Sequence, residues 1–238
     1  MKHPKIKRVL IKLSGESLST DGFGIKVSAI QGVVHDIKKT LQLGVQLAIV
    51  IGGGNIVRGG RANFQDQIER STADTMGMLA TMINALALSD ILSYIGVKNE
   101  VLSSRGMDGV LQSSDPKLAK RYLNEGKVVI FAGGTGNPFV TTDTTATLRA
   151  IEIQADAILK VTTVDGVYDK DPNKYKDAVK FEILSFNEAL KHEFAVMDLG
   201  AFIQAREFNI PICVFNFNSS GALLRVLKGE FEGTWIKN

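Results

Sequence analysis

Short, almost unbroken apolar runs alternate along the chain with longer stretches whose apolar residues recur every three or four positions. Arg8-Val-Leu-Ile-Lys-Leu13, Val45 to Ile51, Val97 to Leu102, Lys127-Val-Val-Ile-Phe131, Ala157-Ile-Leu-Lys-Val161 and Ile212 to Phe217 are of the first kind. Such runs predict strands covered on both faces. Ile30, Val33, Val34, Ile37 and Leu41 mark one face of a helix from Ser28 to Leu43, with Ser28 as its cap and Gly44 as its stop. A longer helix is predicted from about Thr72 to Tyr94, with Met76, Leu79, Met82, Ile83, Leu86 and Ile91 on or near one stripe, the methionines as core filler, and Gly96 closing it. Asp115-Pro116 opens a third helix, to Asn124, by pairing an N-cap with a first-turn proline. Helices are expected also from Asp143 to Ala155, Ser185 to Lys191, Asp198 to Glu207 and Ala222 to Leu227, before a final strand near Trp235. This alternation predicts an α/β fold: a central, mainly parallel sheet between two layers of helices, an αβα sandwich.

Composition narrows the class. The 238 residues suit one large domain or two small ones, and no repeat or linker divides them, so residues 1–238 are read as a single domain. A net charge of +3 is too small to argue for nucleic acid or a membrane surface. No apolar run approaches the roughly 18 residues that span a bilayer. The N-terminus lacks a signal-like apolar core, because Lys12 interrupts it. The single cysteine, Cys213, sits in an apolar run and has no partner for a disulfide, which fits a reducing cytoplasm. His3, His35 and His192 join no constellation and are read as structural or solvent-facing.

Four of the predicted strands run into loops that carry chemistry. Gly133-Gly-Thr-Gly-Asn-Pro-Phe-Val-Thr-Thr-Asp143 joins a strand to a helix; its glycines permit close backbone approach, and the helix start suits a phosphate. The plain alternative is a glycine-rich turn capped by Asp143. Lys12 lies among apolar residues at a strand end and needs either solvent or an anionic partner; the adjoining Ser14-Gly15 turn favours a phosphate. Gly52-Gly-Gly-Asn-Ile-Val-Arg58 sets an arginine, a bidentate phosphate ligand, four residues beyond three consecutive glycines. The alternative, a sharp turn with Arg58 on the surface, needs only one glycine. Asp74 sits in a helix's first turn, where the dipole alone favours a carboxylate. Asp165, Asp169 and Asp171 beside Tyr168 suit a ribose or a magnesium shell, or serve as turn formers. There is no G-x-x-x-x-G-K-[ST] and no G-x-G-x-x-G, which excludes a P-loop and argues against a Rossmann dehydrogenase. A lysine, an arginine, two glycine loops and several carboxylates that together neutralise two phosphates point to phosphoryl transfer.

Seven motifs occur together and in order: Lys12-Leu-Ser-Gly-Glu16, Ile51-Gly-Gly-Gly-Asn55, Asp74-x-Met-Gly-Met-Leu79, Gly133-x-Thr-Gly-Asn-Pro-Phe139, Thr141-Thr-Asp143, Val164-Asp-Gly-Val167 and Val196-Met-Asp-Leu199. With them the chain resembles the bacterial uridylate kinases of the amino-acid kinase superfamily over essentially its whole length. The lysine and Asp-Gly-Val elements are shared across the superfamily; the Gly-Thr-Gly-Asn-Pro-Phe loop with Asp74-x-Met-Gly-Met is the more specific signature.

The resemblance implies Mg²⁺-dependent transfer of the γ-phosphoryl of ATP to UMP, giving UDP and ADP for pyrimidine nucleotide synthesis. It implies that Lys12, Leu13, Ser14 and Gly15 hold the ATP phosphates, with Gly54, Arg58, Thr162, Tyr168 and Asp171 completing the ATP site. On the acceptor side it implies Gly53 at the UMP phosphate, Asp74 at the ribose hydroxyls, and Thr135, Gly136, Asn137, Pro138, Phe139, Val140, Thr141 and Thr142 cradling the nucleotide. Lys12, Arg58, Asp143 and Asp198 surround the reaction centre, with Asp143 orienting Lys12 or the metal. Magnesium is expected through the ATP phosphates, not on a dedicated protein site. The family is typically a homohexamer built as a trimer of dimers, inhibited by UTP and often activated by GTP. GTP-activated members place basic residues along the long helix and just after it, where this chain has Ser89, Ser93 and Glu100. Weak or absent GTP activation is therefore expected. Two rivals remain: a superfamily kinase acting on a small carboxylate or carbamate, and a non-catalytic nucleotide binder on the same fold.

Overall fold

The computed structural model describes residues 6–57, 67–192, 194, 197–217, 219–230 and 232–238; Arg58 and His3 lie outside them. In chain order the elements begin with β1 (Arg8–Leu13), α1 (Val27–Leu41), β2 (Gln46–Ile51), α2 (Arg70–Tyr94), β3 (Asn99–Ser103), β4 (Gln112–Ser113), α3 (Pro116–Asn124) and β5 (Val128–Ala132). They continue with α4 (Thr142–Ile153), β6 (Ala157–Thr162), β7 (Val167–Tyr168), β8 (Lys180–Phe181), β9 (Ile183–Ser185), α5 (Phe186–Lys191), α6 (Leu199–Glu207), β10 (Ile212–Asn216), α7 (Ala222–Lys228) and β11 (Thr234–Lys237).

Among the described residues the main sheet has nine strands in the order β4-β3-β5-β2-β1-β6-β10-β11-β9. Every pair is parallel except β10 with β11. The four strands whose ends carry the chemistry, β5, β2, β1 and β6, are consecutive in this order, so their C-terminal loops open along one edge. That is where open parallel sheets hold ligands.

The alternation of side chains divides the core into two layers. Val9, Ile11 and Leu13 of β1 and Leu47, Ile49 and Ile51 of β2 face α1, α2 and α7. Leu10, Ala48, Val50, Val129 and Phe131 face α3, α4 and α6. Lys12 shares the second face by strand parity, so its side chain leaves β1 on the side of α4.

Three helix expectations need correcting. α1 starts at Val27 after Lys26, with no side-chain cap, so Ser28 lies inside it. The cap of α4 is Thr141, whose hydroxyl accepts from the Asp143 and Thr144 amides; Asp143 belongs to the first turn and its carboxylate is released for other partners. α2 keeps Met82, and in part Ile91, of the expected stripe against the core but turns much of that stripe outward. Ala73, Ala80, Thr81, Met82, Asn84, Ala85, Leu88 and Leu92 are buried, whereas Leu79, Ile83 and Leu86 are 47%, 50% and 40% exposed. α2 is by length and composition apolar enough to cross a membrane. Its buried stripe packs on the sheet within the larger core, which is the setting of a core helix.

Candidate active site

β1 and β6 are register neighbours, and Lys12 stands directly opposite Lys160. Adjacent strands lie about 4.8 Å apart, so two ammonium-bearing side chains on the same face need an anion between them. The first turn of α4 supplies it. Asp143 Oδ2 accepts from Lys160 Nζ at 2.7 Å, and Oδ1 lies 3.1 Å from Lys12 Nζ. All three side chains are less than one-fifth exposed.

Burial alone would raise the Asp143 carboxyl, but the two ammoniums outweigh it and hold its pKa below the ordinary value. Burial dominates at Lys160 and lowers its pKa; Asp143 pulls it back up, while Lys12 adds to the fall. Lys160 was not among the residues singled out from sequence. Its signal was nonetheless present, since Ala157-Ile-Leu-Lys-Val161 sets a lysine in an apolar strand just as β1 does.

Asp198 caps α6 by accepting from the Ala201 amide at 2.8 Å. It also accepts from the Thr144 hydroxyl at 2.9 Å and from the Thr141 hydroxyl. Asp198 thus ties the starts of α4 and α6 together, which fixes the turn that carries Asp143.

The glycine turn after β2 presses against α2. A Cβ on Gly53 would lie 2.6 Å from the Gly77 carbonyl and 2.8 Å from the Ala80 Cβ, so only glycine fits. Beside this turn opens a cleft of about 270 Å³, whose lining includes Gly53, Gly54, Asp74, Asn137, Thr141 and Thr142. Asp74 stands at its side with Oδ2 accepting the Phe139 amide at 2.9 Å and Oδ1 paired with Arg70 Nε at 2.9 Å. Phe139 has a φ of 65°, a left-handed conformation uncommon for a non-glycine residue. The bond to Asp74 holds it there. Arg70, missed in the sequence, stacks its guanidinium 5.8 Å from the Phe139 ring centre.

Neighbouring side chains hold the glycine loop from Gly133 onward. Ser104 Oγ donates to the Gly133 carbonyl, Arg105 Nη2 to the Gly136 carbonyl at 3.1 Å, and the Gly133 amide to Thr81 Oγ1 at 2.7 Å. Thr135 Oγ1 accepts the Asn137 amide, and the Phe139 ring is exposed. Pro138 and Val140 complete the loop, and Val140 also lines the cleft.

On the other side of the β1 tip is a larger cavity, about 780 Å³, whose lining includes Ser14, Glu16, Thr162, Thr163 and Phe217. Tyr168 and Asp171 do not line it. Tyr168 donates its hydroxyl to Asp165 at 2.5 Å, which raises its own pKa to about 12. Asp171 accepts the Asn173 amide at 2.9 Å. The expectation that Arg58 joins the phosphates falls outside the described residues. Cys213 is fully buried, and burial pushes its thiol pKa well up, which leaves it unreactive.

Asp143 follows Thr142 of the smaller cleft, while Lys12 and Lys160 each come two residues before Ser14 and Thr162 of the larger cavity, so the lysine–aspartate–lysine cluster stands on the same strand and helix ends as both linings. Comparisons with known proteins identify the family. The model of the amino acid kinase family matches residues 7–216. A uridylate kinase of Francisella tularensis subsp. holarctica is 58% identical over 236 residues, which cover 99% of this chain and 95% of the relative. One of Shewanella denitrificans is 49% identical over the same length, 99% and 97% of the two chains. The crystal structure of UMP kinase from Bacillus anthracis superposes with a TM-score of 0.94 at 39% identity, covering 98% of this chain and 96% of that one. That of Ureaplasma parvum gives 0.91 at 36% identity, covering 98% and 99%. The chain therefore belongs to the amino acid kinase family, in its uridylate kinase branch.

Proposed function

We propose that the protein transfers the γ-phosphoryl of ATP to UMP, and that the observation carrying this reading is the part-buried Lys12–Asp143–Lys160 cluster at the element ends whose loops line the two cavities. A phosphate oxygen of UMP forms the new bond to the γ-phosphorus, the bond to the β–γ bridging oxygen breaks, and ADP leaves with the electron pair. The acceptor is already ionised near neutral pH, so no side chain has to take a proton. What the chain supplies is position and positive charge. Lys12 and Lys160 neutralise charge on the moving phosphoryl, and Asp143 holds the two ammoniums apart and aimed. The smaller cleft, lined by Gly53, Asp74, Asn137, Val140, Thr141 and Thr142, takes UMP, with Gly53 at its phosphate, Asp74 at its ribose and the Thr135–Thr142 loop around the base. The larger cavity takes the ATP end through Ser14 and Thr162. The family resemblance assigns Tyr168 and Asp171 to the adenine and ribose end and Gly54 and Arg58 to the ATP side.

Magnesium fits as a ligand of the nucleotide phosphates. Among the described residues no three of His, Cys, Asp and Glu gather to hold a metal. The nearest carboxylate, Asp143, is engaged by Lys12 and Lys160. When bound with ATP, the ion screens phosphate charge.

The same reading places the protein in the cytoplasm, acting as one domain over residues 1–238, because both clefts are built from strands of a single sheet. Its assembly is a homohexamer made of dimers. The exposed Leu79, Ile83 and Leu86 face of α2 supports self-association, which light scattering on the purified chain measures. UTP inhibits by occupying the UMP cleft.

GTP activation is expected to be weak or absent. Ser89 donates to Asn99 Oδ1 at 2.7 Å, and Asn99 Nδ2 donates to Ser93 Oγ at 3.0 Å. The nearby Lys127 is neutralised by Glu100 at 2.9 Å and Glu125 at 3.3 Å. A triphosphate finds no spare cation among these residues.

An ADP-release assay with Mg²⁺ across UMP, CMP, dUMP, glutamate, aspartate and carbamate tests the whole reading. UMP should be the preferred acceptor, with dUMP about tenfold less efficient for want of a 2′-hydroxyl to Asp74. That gap should close in Asp74→Asn. Preference for a carboxylate or carbamate, or no turnover by folded protein, would sink the proposal. Added GTP should change the rate less than about twofold; a several-fold rise would restore an activator site.

A further inference from the structure

Beneath the glycine turn lies a buried amide pair that the phosphoryl-transfer chemistry does not touch. Asn55 follows the three glycines, Asn84 is on the inner face of α2, and their residues are 1% and 0% exposed. Asn84 Nδ2 donates to Asn55 Oδ1 at 2.7 Å and to the Gly52 carbonyl at 2.8 Å. In return Asn55 Nδ2 donates to Asn84 Oδ1 at 3.1 Å and to the Gly24 carbonyl at 2.8 Å. Every amide proton of the pair is thus used, and the two backbone carbonyls fix which end of each side chain is nitrogen.

The pair reaches further through the backbone. The Gly24 amide donates to the Asn55 carbonyl at 2.8 Å, so the Thr20–Gly24 loop is fastened to the same residue from both sides. Gly15 packs onto it as well: a Cβ there would collide with Asn55 Oδ1 and would lie 2.7 Å from the Gly54 amide nitrogen. Gly15 therefore rests on the Asn55 side chain and the Gly52 carbonyl on that of Asn84, and the paired amides join the two turns to α2.

We propose that Asn55 and Asn84 are positioning residues that set the spacing between the donor and acceptor phosphate subsites. This inference rests on the phosphoryl-transfer reading, in which Gly15 and Gly54 serve ATP and Gly53 serves UMP. Neither amide faces a nucleotide; they act through the turns they hold. Transfer between two bound phosphates depends steeply on their separation, whereas binding of each nucleotide draws on contacts elsewhere. Loss of the pair should therefore appear in kcat and not in KM.

The test compares wild type with Asn84→Ala, Asn55→Ala and the double variant, each checked for folding by its thermal melt. Each single variant is expected to lower kcat about tenfold with KM for UMP within about threefold of wild type. Both singles break the same pair, so the double should fall no further than either one. Wild-type kcat in a folded single variant, or losses that multiply in the double, would overturn the inference. Should an alanine variant not fold, Asn84→Leu keeps the branched outline of the side chain, slightly enlarged and without hydrogen bonds, and is expected to show the same fall in kcat; full activity there would equally overturn it. If wild type itself failed to phosphorylate UMP, the functional reading and not the amide pair would be at fault.

Discussion

Lys12→Ala is expected to cut turnover by about 10²-fold or more, the loss that follows from removing one preorganised donor at a developing charge. Affinity for UMP should stay within about threefold, because the contacts proposed for that nucleotide lie in the other cleft. The ammonium sits 3.1 Å from Asp143 and directly across from Lys160. After truncation Asp143 keeps Lys160 at 2.7 Å, so the carboxylate is not left buried and unpaired. The fold should survive, and the loss should reside in the chemical step. Single-turnover rates and a UMP titration on the folded variant separate these effects. An unchanged turnover number would remove Lys12 from the transition state.

How far the sequence led can be judged at particular positions. β1, β2, β5, β6 and β10 were legible because both their faces are covered, which leaves long apolar runs. α3 was legible from Asp115 and Pro116, and Asp115 does accept the Leu118 amide at 2.8 Å. The two-residue strands β4, β7 and β8 carry too few positions for any period to show. The antiparallel turn of β11 against β10 is a matter of chain path and leaves no mark on local pattern.

α2 misled for a more instructive reason. It is apolar on two sides, so periodicity finds a stripe but cannot say which stripe faces inward. The face chosen by the sheet is the one with Ala73, Ala80, Ala85 and the amide of Asn84, small enough to let the glycine turn approach. The larger Leu79, Ile83 and Leu86 were left outside.

The same limit applies to the site. The strand lysine at Lys12 drew attention because glycines follow it, whereas Lys160 precedes a turn with no such flag. Their pairing across β1 and β6 is fixed by register, which only the assembled sheet reveals. Arg70 and Arg105 were invisible for a related reason. Each acts on a distant loop through one side chain, on Asp74 and Phe139 in one case and on the Gly136 carbonyl in the other.

Asp143→Asn should be the most damaging single exchange, because it removes the anion on which both lysines depend. Two ammoniums are then left face to face with little solvent between them. Breaking such a buried arrangement costs about 3–5 kcal/mol, and misdirecting both lysines should lower turnover by about 10³-fold. In wild type the pKa of Asp143 lies below the ordinary 3.8. The stability it confers is therefore complete above that value and lost only as the pH falls through the lower folded one. At neutral pH the variant lacks all of it. Lys160 runs in the opposite sense, with its pKa below 10.5. Its ammonium is a cost to the fold at neutral pH, relieved as the pH rises from the folded value towards 10.5. Wild-type turnover should accordingly fall on the alkaline side before the protein melts. Without Asp143 the lysine gives up its proton sooner, and that fall should move to lower pH. ATP should also raise the melting temperature of Asp143→Asn more than that of wild type, since its phosphates replace the missing negative charge. A variant with wild-type melting temperature and an unmoved alkaline limb would mean that the lysines hold their places without the carboxylate.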